Sequence, residues 1–168
     1  MKPLGRVRLA VMWLVGCAAA AGAGPQAAGA ASKPDEAVIR SLISSYAKSI
    51  DAADTGLAST VWANTDVSFI HPRGHERGWD AIKAFYEQTM GQTFSERKLT
   101  VKDVVIHVDG ATAWAEFYWD FAAKLRTDGS PVATHGRETQ VYRKVNGSWR
   151  LVHAHYSGMP VTGERQGF

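Results

Sequence analysis

The sequence predicts an α+β fold, with helices covering one face of a curved, mainly antiparallel sheet. Two observations carry this. From Ser32 to Met90 the apolar residues recur with helical spacing, interrupted by one short strand-like run. After Ser95 they alternate, and the dipeptides Asp109-Gly110, Asp128-Gly129 and Asn146-Gly147 punctuate the alternation as hairpin turns. A length of 168 residues suits one domain after allowance for a leader.

The leader is read from residues 1–23. Lys2, Arg6 and Arg8 precede the apolar or small run LAVMWLVGCAAAAGA, the pattern of a secretory signal peptide. Cleavage fits after Ala21-Gly22-Ala23 or Ala28-Gly29-Ala30. Leu14-Val15-Gly16-Cys17 also resembles a bacterial lipobox, in which case Cys17 is lipidated. Both readings stand, and both place the protein in the periplasm or outside the cell; contact with a membrane is expected only with a lipid at Cys17. Cys17 is the chain's one cysteine, so no intrachain disulfide is expected. The overall charge of +3 comes from the leader: without its three bases, 16 Lys and Arg face 16 acids. A neutral domain gives no reason to expect nucleic acid.

Residues 24–34 read as a flexible linker, 35–160 as the folded domain and 161–168 as a tail. Ser32 and Asp35 form a capping box for a first helix, with Val38, Leu42, Ile43, Tyr46 and Ile50 on its inner face. Asp54 and Gly56 end it, and a short second helix runs from Leu57 to Ala63. DVSFIHP is a strand stopped at Pro72. A loop over 73–78 leads to a third helix, WDAIKAFYEQTM, with Ile82, Phe85, Tyr86 and Met90 inward. Four strands follow, near 98–108, 112–125, 132–145 and 148–157.

LISSYAKSIDAAD, VSFIHPRG and GWDAIKAFYEQ, taken in that order, are similar to ketosteroid isomerases and SnoaL-like polyketide cyclases of the nuclear transport factor 2-like superfamily. The tail ETQVYRKVNGSWRLVHAHYSGMP resembles the association (hub) domain of calcium/calmodulin-dependent kinase, which ends in a similar HxHxSGxP segment. The resemblance implies a cone-shaped fold, three N-terminal helices packed on a curved sheet, with a pocket for a small, largely apolar molecule. It implies cofactor-free acid–base chemistry of the isomerase, cyclase or hydratase type. The alternative is a non-catalytic ligand-binding or oligomerisation module like the hub.

Carried over by position, Tyr46 matches a tyrosine that donates to a developing enolate oxygen, and Tyr86 a second tyrosine that supports it. His71, just before Pro72, falls where the isomerase has its aspartate base. Gln140, or Thr139 with a shift of one residue, replaces a protonated aspartate. Such chemistry needs a base within reach of the proton and donors aimed at the oxygen that gains charge. Asp120 in FYWDF is a second candidate base. Trp62, Tyr118, Gln140 and Tyr156 complete the expected pocket with Tyr86.

Both resemblances place positions matching Gln140 and Tyr156 on the cavity wall, and the hub adds the position of Asp120. The even-numbered face of the last three strands is therefore expected inside, for Tyr118 and Asp120 as for the others. The odd face, with Phe117, Trp119, Val141, Leu151, His153 and His155, is expected outside as a homodimer surface. His153 and His155 share one strand face and form a pair able to chelate, but a third ligand is not evident, so no metal is expected.

Overall fold

The computed structural model describes residues 33–159. The leader with Cys17, residues 24–32 of the linker, and the tail lie outside the described residues. Among the described residues, no helix is long and apolar enough to cross a membrane.

Helix α1 (Lys33–Ala52) and helix α2 (Thr55–Val61) are followed by strands β1 (Ser68–His71) and β2 (Gly74–Arg77). Helix α3 (Trp79–Ala84) continues as a π-helix over Phe85–Thr93, and then come β3 (Phe94–Asp109), β4 (Thr112–Leu125), β5 (Pro131–Val145) and β6 (Ser148–Gly158). The strands form one open sheet in the order β2-β1-β6-β5-β4-β3. Among the described strands, only β1 and β6 pair in parallel.

α1 buries Ile39, Ile43, Tyr46 and Ile50, spaced at four, three and four residues along one stripe. Val38, expected inward, is 45% exposed because it sits one residue off that stripe. Asp54 caps α2 by accepting from the Leu57 N–H at 2.9 Å. The segment 74–77, expected as loop, is a strand: the turn at Pro72-Arg73 is tight enough for Gly74 to pair with His71. The helical stretch 79–90 changes to π geometry at Phe85, and this wider turn keeps Phe85, Tyr86 and Met90 all buried. The Arg97 guanidinium fastens its end by donating to the carbonyls of Met90 (2.9 Å), Phe94 (2.6 Å) and Ile50 (3.1 Å).

Two irregularities on β3, with Glu96 and Asp103 at positive φ, bend the long strands over the helices. A third lies on β6. Tyr142 pairs with Leu151 but Val141 pairs with His153, so Val152 is an extra residue. The inward side therefore changes from Trp149 and Leu151 to Ala154. His153 and His155 face away from the helices, but Leu151, expected beside them, is core.

Candidate functional site

Between α1, the π-helix and the concave side of the sheet lies a cavity of about 160 Å³. Its walls are mainly apolar, with Phe69, Phe85, Leu99 and Trp119 among them. Glu138 and Tyr46 supply polar groups on the buried side, and Arg73 stands at the exposed rim. Gly136 makes room for the Trp119 indole, because a Cβ there would collide with that ring and with the Ser157 carbonyl. The Trp119 Nε1–H is buried and has no hydrogen-bond partner among the described residues.

Glu138 is the chemically distinctive group. It is 4% exposed, yet it lines an apolar cavity. Burial raises its carboxyl to about 7; hydrogen bonds from Gln140 and Tyr46 oppose that rise. The Gln140 Nε2 donates to Glu138 Oε1 at 2.7 Å, and the Tyr142 hydroxyl donates to Gln140 Oε1. Tyr142 thereby fixes the Gln140 amide with its nitrogen toward the carboxyl. Glu138, Gln140 and Tyr142 sit at alternate positions of β5, so the pleat alone lines them up on the inner face. The Tyr46 hydroxyl, presented by α1, meets Glu138 from above; burial, then the charge of Glu138, holds its phenol well above the ordinary range.

The other expected site residues are distributed differently. Tyr156 lines the cavity, and burial pushes its phenol to about 12. Gln140 is fully buried behind Glu138 rather than at the cavity surface. Tyr86 is fully buried and its hydroxyl lies 3.0 Å from Ser49 Oγ. Ser49 spends its proton on the Tyr46 carbonyl at 2.7 Å, so Tyr86 is the donor of that pair. Trp62 is core, packed on Tyr46 (6.5 Å between centroids) and Phe69 (5.8 Å). Both are one layer behind the wall.

His71 is buried, with its ring against Phe85 (4.7 Å) and stacked on Tyr156 (6.0 Å, 18°). Its Nδ1 accepts from the Arg73 N–H at 3.3 Å, so Nε2 holds the proton and donates to Glu76 Oε1 at 3.3 Å. Both ring nitrogens of His71 are thus engaged by neighbours on the β1–β2 hairpin.

Asp120 and Tyr118 require a larger correction, because both point out of the opposite face of the sheet. Phe117 pairs with Glu138 and Trp119 with Gly136, so the odd positions of β4 share a face with the even positions of β5. Asp120 forms a half-exposed ion pair with Lys102 at 2.6 Å, and Tyr118 is 46% exposed. Phe117 and Trp119, expected outside, are 2% and 6% exposed. On the outer face His153 Nδ1 bonds Ser68 Oγ at 2.7 Å. Burial, His155 and His75 lower the His153 imidazole. No group of three His, Cys, Asp or Glu side chains able to hold a metal occurs among the described residues.

Sequence reasoning passed over Glu138. The available signal was an acid two residues before Gln140, on the strand face already expected to be internal.

A family model described as "SnoaL-like domain" matches residues 39–162. The chain belongs to the SnoaL-like family. Among solved structures, a nuclear transport factor 2-like superfamily protein from Salmonella enterica serovar Typhimurium is 48% identical, with a TM-score of 0.74 over 77% of this chain and 94% of that one. The SnoaL-like fold recurs at low identity in an NTF2-like protein with a cystatin-like fold from Novosphingobium aromaticivorans: 22% identity, TM-score 0.62, 73% of this chain and 80% of that one. It recurs again in a hexachlorocyclohexane dehydrochlorinase, LinA type 2: 12% identity, TM-score 0.67, 80% of this chain and 96% of that one.

Proposed function

We propose that this SnoaL-like protein binds a small, largely apolar molecule in the cone cavity and moves a proton on it without a cofactor. The observation that carries the reading is Glu138: a buried carboxyl on the wall of an apolar cavity, raised to about 7. As a carboxylate it takes a proton from a carbon next to a carbonyl, and the electron pair moves onto the carbonyl oxygen. The newly formed Glu138 O–H then serves as donor to the Tyr46 oxygen. This releases the Tyr46 O–H to bond the oxygen that has gained charge. The proton returns from Glu138 to carbon or oxygen, and the site is restored. An assembly module has no use for an ionisable group held in an open apolar cavity, which is why the catalytic reading is preferred to the hub-like one.

The test is solvent exchange. In D2O, the protein should speed deuterium uptake at the α-carbon of small cyclic ketones, followed by proton NMR, and Glu138→Gln should remove the acceleration. Equal rates for the two proteins would sink the role of Glu138.

The proposal extends to an exported homodimer joined through the outer sheet face, where Val105, Trp114 and Tyr118 are 50%, 38% and 46% exposed. The leader supports export, with a lipid anchor if Cys17 is acylated.

A further inference from the structure

The Arg73 guanidinium lines the cavity mouth from the β1–β2 turn and makes no hydrogen bond or ion pair among the described residues. The nearby Glu76 carboxylate is turned toward His71 instead. A cation at the lip of an apolar cavity, unpaired among the described residues, is a recognition feature. Glu138 lines the same cavity, and the Tyr156 phenol feels both charges. The space between is small. At about 160 Å³ it compares with the ~150 Å³ engineered cavity that takes up benzene. One ring is of the size that fills it.

We propose that the occupant is a single-ring carboxylate, its ring held among Phe69, Phe85 and Trp119 and its carboxylate on Arg73. This rests on the small-molecule reading above and names the class of molecule. A planar monoanion matches one guanidinium by two parallel hydrogen bonds. Anchored there, it stays clear of Glu138, and the ring carbons face the carboxyl that moves the proton.

The probes are benzoate, its neutral counterpart benzamide, and 2-naphthoate, titrated into wild type and Arg73→Gln and read by amide NMR shifts at the cavity wall. Arg73 is exposed, so the variant should fold, as its spectrum away from the rim will report. The expected result is benzoate at least ~10-fold tighter than benzamide in wild type, with that preference gone in Arg73→Gln and kept in Arg73→Lys. Naphthoate should bind at least ~10-fold more weakly than benzoate. Equal affinity for benzoate and benzamide in both proteins would overturn the carboxylate assignment while leaving the apolar cavity in use. Naphthoate as tight as benzoate would overturn the single-ring limit. If none of the three shifts the wall residues, the small-molecule reading falls as well.

Discussion

Two acids on neighbouring strands of the same sheet show how environment decides chemistry. Asp120 on β4 points to solvent and pairs with Lys102, and each side chain is about half exposed. Glu138 on β5 points into the cone, has no cation paired with it among the described residues, and is held by the neutral donors Gln140 and Tyr46. The first is open to water and paired with a lysine. The second, deprived of both, is left near the balance point between its two protonation states. The residue type is nearly the same; the side of the sheet is not.

The largest effect should follow from breaking the inner acid. Glu138→Gln should slow any proton-exchange reaction by roughly 100-fold or more, since general acid–base catalysis contributes on that scale. The fold should persist, because the amide is isosteric and still accepts from Gln140. The deuterium-uptake assay above reads the outcome.

The same variant sharpens the comparison through stability. An unfolded glutamate titrates near its ordinary 4.5, and the folded Glu138 at about 7. Between those values the folded state holds more protons than the unfolded one. Stability should therefore be fully present below about pH 4.5 and fall as pH rises through 7, with a loss on the order of 3 kcal/mol at most. Urea denaturation at pH 5 and pH 8 should show this slope in wild type and its disappearance in Glu138→Gln. A slope that survives the substitution would mean that another group carries it.

The contrast also explains what could be read in advance. Apart from the β1–β2 hairpin, which reads as a loop in the sequence, element order and the positions of the three hairpins that join β3 to β6 follow from local chemistry, in which glycine and asparagine mark turns and spacing separates helix from strand. Facing is not local. β4 and β5 each alternate cleanly, but only their register, Phe117 against Glu138, tells which alternate set of each shares a face. Even-with-even was assumed, and β4 was therefore placed inside out. On β6 the extra residue at Val152 reverses the alternation midway, so one parity could not describe Trp149, Leu151 and the two histidines together. Size gave a usable hint: Phe117 and Trp119 are bulky and apolar, and a buried face needs them more than it needs Asp120.

The outer face offers a third test of moderate size. Within the proposed dimer, His155→Asp places a carboxylate on the sheet surface beside Val105 and Tyr118, which with His155 line one groove. Burying that unpaired charge should weaken association at least ~10-fold. Sedimentation velocity over a dilution series reads it, and an unchanged profile would remove this face from the interface.

The smallest effect is expected where the comparison began. Asp120→Asn deletes the half-exposed pair with Lys102 and leaves the cavity untouched. Exposed pairs of this kind contribute less than about 1 kcal/mol, because both partners are well solvated when apart. Urea midpoints should shift little, the loss should shrink further in high salt, and the exchange rate should equal that of wild type. A large drop in exchange with Asp120→Asn would mean that the outer acid reaches the chemistry, against a register that sends its side chain through the far face of the sheet.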